Sequence, residues 1–197
     1  MKRATLLAIL ICVVHLSDAR TAPAIQRNDI PKMYYGEINS ATIPNTREML
    51  SEIMNVLGLT ANFELREAKV KNIEASISHK KRYILYNPEY ISWINNATND
   101  KWAAITLLAH EVGHHLNGHT IRKSGSKPVL ELEADEFAGF VLHKLGASLE
   151  QAQEVMKYIA RIEASKTHPS RTSRIVAIQN GWNKSANSEG ILAKTNK

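Results

Sequence analysis

The residues best suited to chemistry in this 197-residue chain are His110-Glu111-Val112-Gly113-His114. On a helix, residues four apart stand one above the other on the same face. Both imidazoles can then point at one tetrahedral zinc ion, one per chain, while Glu111 projects beside them toward a water in the open position. Zinc lowers the pKa of such a water to about 7. A carboxylate within reach can take its proton as general base and pass it to a leaving amine. The preceding turns hold Ala103, Ala104, Ile105, Leu107 and Leu108, so the helix is strongly apolar. Two histidines and a glutamate at its end would be costly to bury without a metal or polar partners.

A third ligand has to come from elsewhere. Metalloproteases of the Met-turn class place a Gly three and a His six residues after the second histidine; here those positions are Asn117 and Thr120, and Gly118 and His119 are each off by one. His119 therefore stays a minor candidate. Glu131-Leu132-Glu133-Ala134-Asp135 offers a better one. Glu131 and Asp135 share a helix face, so Glu131 can bind the metal and Asp135 can accept the free ring N–H of a ligating histidine. Glu133 lies off that face and reads as solvated. The apolar density of the segment, with Val129, Leu130, Leu132, Phe137, Phe140, Val141 and Leu142, argues that it is largely buried. His115 points about 100° away from His114, and His79 and His143 are isolated.

These blocks resemble the gluzincin metallopeptidases of the M48 group, the HtpX and CAAX-prenyl-protease type. His110-Glu-Val-Gly-His114 and Glu131-Leu-Glu-Ala-Asp135 carry the likeness, and Thr167-His168-Pro169-Ser170, Arg174-Ile175 and Gly181-Trp182 are similar to the C-terminal signature of many members. The likeness covers residues 98–182, about half the chain, with its blocks in the expected order. It implies zinc on His110, His114 and Glu131, Glu111 as catalytic base, Asp135 behind the ligands, and His168 as the donor that stabilises the oxyanion. Arg174 is a candidate partner for a site carboxylate. Nothing after residue 20 approaches about 18 consecutive apolar residues, so the likeness is to a minimal, soluble form. The strand 82–87 is a candidate sheet edge for an extended substrate.

The elements that must position these residues read as α+β, of zincin-like type. Asn45 or Thr46 caps a helix to about Leu57, stopped by Gly58. Period two over 62–86, with Phe63, Leu65, Ile73, Ala75, Ile77, Tyr83 and Leu85 alternating with polar residues, predicts a small antiparallel sheet of two or three strands. Residues 90–94 form a short helical turn. A helical block follows. Thr98 or Asn99 caps the motif helix, which Gly118 closes; Pro128 opens a second that ends before Gly146. Ser148 with Gln151 caps a third to about Ala164, and Ser170 opens a fourth ending at Gly181.

Composition is 44% hydrophobic and 22% charged, which excludes disorder over the whole chain. The net charge of +6 is scattered, without a basic tract or basic-aromatic stripe, so nucleic acid is not an expected partner. Lys2, Arg3 and an apolar stretch over 5–16 read as a signal peptide in residues 1–24, cut near 19 or 24. The only cysteine, Cys12, falls inside it, so the mature chain has no disulfide and a metal site must use His, Asp and Glu. A linker over 25–44, a zinc metallopeptidase domain over 45–183 and a flexible tail over 184–197 complete the reading. The expected function is hydrolysis of a peptide or protein substrate in a secreted or periplasmic setting. The alternatives are a zinc-bearing binding or assembly factor of the same fold, and an N-terminal membrane anchor in place of a cleaved signal.

Overall fold

The computed structural model describes residues 45–121 and 127–195. The signal segment, Cys12, the linker 25–44 and residues 122–126 of the turn lie outside them. Helix α1 (Thr46–Leu57) begins at a reciprocal cap: Asn45 accepts from the Arg47 and Glu48 amides, and Glu48 accepts from the Asn45 amide. It buries Met49, Leu50, Ile53 and Met54 and ends at Gly58 with φ 65°. Strands β1 (Glu64–Glu67), β2 (Ile73–Ser78) and β3 (Lys81–Tyr86) follow.

The sheet is mixed, not antiparallel throughout. Its order is β1-β3-β2; β3 pairs antiparallel with β2 and parallel with β1. Period-two patterning sets which side chains share a face, but it does not choose a strand's partner or direction. The β2–β3 hairpin turns at His79 and Lys80, both at positive φ, as a two-residue connection requires. β3 is the central strand, so the expectation that residues 82–87 form a free edge is corrected. The fully buried residue of β3 is Ile84, with Tyr83 and Leu85 only half-buried, so the strand turns the face of Ile84, not the expected one, to the core.

Helix α2 (Pro88–Thr98) is longer than the short turn expected at 90–94. Thr98 and Asn99 finish it, with Asn99 at φ 51°, instead of capping the motif helix. Helix α3 (Trp102–Leu116) starts one step later, with Asp100 Oδ1 accepting from the Trp102 amide at 3.2 Å. α3 is buried on every side from Ala103 to Gly113, so it is the axis of the core. A 3-10 turn (His119–Ile121) follows it, then α4 (Pro128–Lys144). Ser148 and Gln151 cap α5 (Leu149–Glu154) reciprocally, α6 (Met156–Ile159) follows, and the chain becomes extended at Ala160, short of Ala164.

The last helix, α7 (Arg171–Thr195), does not stop at Gly181, and the flexible tail expected over 184–197 is helical through Thr195. Gly58, Gly118 and Gly146 have positive φ and end helices; Gly181 does not. Gly181 serves packing instead. A Cβ there would stand 1.7 Å from Glu136 O, and one at Gly139 would stand 2.0 Å from Ile178 O. The two glycines let α4 and α7 meet backbone to backbone. Gly139→Ala or Gly181→Ala would force the helices apart and destabilise the protein by about 3 kcal/mol, the upper range for overpacking. Thermal or urea unfolding should show a clear loss for each; two unchanged melting curves would refute this packing.

Candidate metal centre

The last two turns of α3 send their polar side chains in two directions, toward α4 and toward the sheet. His110 and His114 face α4, with their Nε2 atoms 3.0 Å apart. Glu131, in the first turn of α4, brings Oε2 to 3.5 Å from His110 Nε2 and Oε1 to 3.7 Å from His114 Nε2. One ligand atom from each of the three lies within 4.8 Å of the others, and this group could hold a metal ion. Corners of a tetrahedron around an ion at 2.0–2.1 Å are separated by about 3.3 Å, so the donors fit. Two histidine nitrogens and one carboxylate oxygen also form a three-ligand set that keeps a fourth position open.

Behind His110 stands Asp135, whose Oδ1 lies 2.8 Å from His110 Nδ1. Arg174 of α7 grips the same carboxylate through Nε and a terminal nitrogen, both at 2.7 Å. Asp135 has no exposed surface, and Arg174 is 8% exposed. The structure thus brings Asp135 and Arg174 together with the cluster. Behind His114 stands His119, with Nδ1 3.0 Å from His114 Nδ1, and His119 Nε2 lies 2.8 Å from Glu133 Oε2. His119 is therefore on the far edge of the His114 ring and outside the ligand group. Glu133, expected to be solvated only, is half-exposed yet paired.

Glu111 turns toward the sheet, and its Oε2 accepts from the Ala75 amide of β2 at 2.6 Å. His115 is turned toward the sheet as well. Its Nε2 meets the Tyr83 carbonyl at 2.9 Å, its Nδ1 meets Thr120 Oγ1 at 3.2 Å, and its ring stacks on Phe63. His168 is not brought to the cluster. It is exposed, its Nδ1 lies 2.8 Å from Thr167 Oγ1, and its amide donates to Ser165 Oγ. These bonds hold it within its own turn, and none of them runs to His110, His114 or Glu131.

The charges explain the titration of the cluster without metal. Burial alone would depress His110, but the Asp135 carboxylate outweighs it and raises the imidazole to about 9. His114 is lowered to about 4 by burial and by the His110 charge. Glu111 is raised to about 7 by burial, against the pull of His110 and the Ala75 amide. Asp135 is held below the usual carboxylate range although burial opposes it, because His110 and Arg174 favour its charge. Tyr90 of α2, raised to about 12 chiefly by burial, also feels the charges of Arg174 and Glu111. Sequence reasoning missed Ala75, Tyr90 and the His119–Glu133 pair, since no spacing along the chain connects them to the motif.

No family model matches the chain, and neither a curated protein nor a solved structure matches it.

Metal binding needs neutral imidazoles. At pH 8, His114 and Glu111 have already lost their protons, whereas His110, with its pKa of about 9, still holds most of its own. Zinc binding at pH 8 should then release about one proton per chain from His110, in addition to any lost by a zinc-bound water. Calorimetry in two buffers of different ionisation enthalpy reads this number. In Asp135→Asn, which removes the charge that raises His110, the release should fall by about one proton. Equal release in both proteins would contradict this account.

Proposed function

We propose that the chain is a zinc-dependent metalloendopeptidase of zincin-like fold, similar to the M48 gluzincins. The observation that carries the reading is the convergence of His110, His114 and Glu131 within 4.8 Å, beside a glutamate on the same helix. A bound zinc would supply a Lewis acid for the scissile carbonyl and an acidified water. His110, His114 and Glu131 would hold it, and the Asp135 carboxylate behind His110 would keep that imidazole oriented.

Glu111 is the general base. The Ala75 amide holds its Oε2, which fixes the carboxylate plane and leaves Oε1 to take a proton from water and return it to the amine nitrogen. A pKa near 7 matches that exchange, since a base works best near the operating pH. β2 is an edge strand and lies next to Glu111, so its outer edge supports an extended peptide added as a further strand. This moves the substrate edge from the expected 82–87 to β2.

A second reading, a zinc-bearing binding or assembly factor with little hydrolysis, draws on His168. It follows if His168, bonded within its own turn, donates nothing to a developing oxyanion, a contribution of roughly 3–4 kcal/mol in enzymes that have one. Glu111→Gln separates the readings. It should keep stoichiometric zinc and lower peptide cleavage by about a hundredfold to ten-thousandfold. Full cleavage by Glu111→Gln would sink the mechanism. Stoichiometric zinc without turnover by the native chain, over a broad peptide panel, would favour the binding factor.

A further inference from the structure

The ring of His114 has a support of its own, separate from the one behind His110. We infer that His119, backed by Glu133, is a positioning residue that fixes the tautomer and tilt of the metal ligand His114. The inference rests on the reading of His110, His114 and Glu131 as a metal site.

The geometry leaves one consistent arrangement of protons. His114 Nε2 faces His110 and Glu131, so its lone pair belongs to the metal and its proton sits on Nδ1. That proton points at His119 Nδ1, 3.0 Å away, which must accept. A histidine that accepts at Nδ1 carries its own proton on Nε2, and His119 Nε2 faces a full acceptor, Glu133 Oε2, at 2.8 Å. The metal at one end and the carboxylate at the other thus assign every donor in the row. Reversing either bond would set two N–H groups or two lone pairs against each other.

His119 is also held rigidly enough for this task. It is 7% exposed and sits in the 3-10 turn just after α3. The next residue, Thr120, is tied to His115, which is stacked on Phe63 and bonded to the Tyr83 carbonyl. The His114-His115 doublet therefore divides the labour. One ring faces the ion, and the other anchors the turn that supports the first. Glu133 reaches back from α4, the helix that also supplies Glu131, so a ligand and a support move as one body.

Partners behind a ligating histidine typically change metal affinity by about 10- to 100-fold. The test measures zinc affinity by chelator competition, the cobalt(II) absorption spectrum, and the melting temperature of the metal-free protein for four chains: native, Glu133→Ala, His119→Leu and His119→Gln. Glu133→Ala should weaken zinc by about tenfold and His119→Leu by up to about 100-fold, both with a shifted cobalt spectrum. His119→Gln, which can accept from His114 and donate to Glu133, should recover most of the loss.

Glu133 is half-exposed, so its variant should fold even if His119→Leu does not. Native zinc affinity and an unchanged cobalt spectrum in Glu133→Ala would overturn the inference and leave the metal site standing. A lowered metal-free melting temperature with unchanged affinity and spectrum would overturn it too, in favour of a structural role. Failure of the native chain to bind zinc would overturn the metal site and this inference together.

Discussion

Arg174 and Asp135 form a buried ion pair on which the arrangement of the three site helices depends. Asp135 is on α4, Arg174 on α7, and the same carboxylate receives His110 from α3. Two charges this deep are expensive to desolvate, and only bidentate geometry with further hydrogen bonds offsets that. Both conditions hold, with two bonds of 2.7 Å and the imidazole as third partner. Removing one partner of such a pair typically costs about 3–5 kcal/mol, because it strands the other charge. The close α4–α7 approach at Gly139 and Gly181 lets Arg174 reach that far inward. Core packing and site electrostatics are in this sense one problem.

The same pair sets the state of the metal group. Asp135 raises His110, and the charged His110 then lowers His114. Neighbouring imidazoles with pKa values of about 9 and about 4 are an unequal couple, made by burial, the first cause at His114, and by the carboxylate behind His110. A divalent ion would remove the inequality, since both rings would have to bind it neutral. Glu111 belongs to a different neighbourhood, tied to the sheet by the Ala75 amide. Its height near 7 comes first from burial, so the walls that shield the site also tune this carboxylate.

Rigid elements supply nearly every participant, which suits a site whose parts must hold their positions closely. His110, Glu111 and His114 are on the most buried helix of the fold, Glu131 and Asp135 on its neighbour, and Arg174 in the first turn of α7. The 3-10 turn is the least regular contributor, and it is braced by Thr120, His115 and Phe63. His168, in the loop before α7, has no such bracing toward the cluster and bonds within its own turn.

What the sequence determined by itself is local. Spacing four apart placed His110 over His114 and Glu131 over Asp135, because helical geometry follows from the backbone alone. Side-chain caps at Asn45 and Ser148 were legible for the same reason. That Glu131 groups with His110 and His114 was also readable, from the helix face it shares with Asp135; His119, a minor candidate by spacing, lies outside that group. Tertiary structure decided the rest. Whether Gly181 ends a helix or lets two helices touch depends on what lies opposite, and Glu136 O is opposite. Strand order, and with it the choice of β2 as the edge beside Glu111, depends on partners that a period of two does not specify. The pairing of His119 with Glu133, and the turning of His168 to the surface, likewise rest on contacts between distant or irregular segments. Spacing along the chain fixes direction within one helix, but only packing fixes what that direction meets.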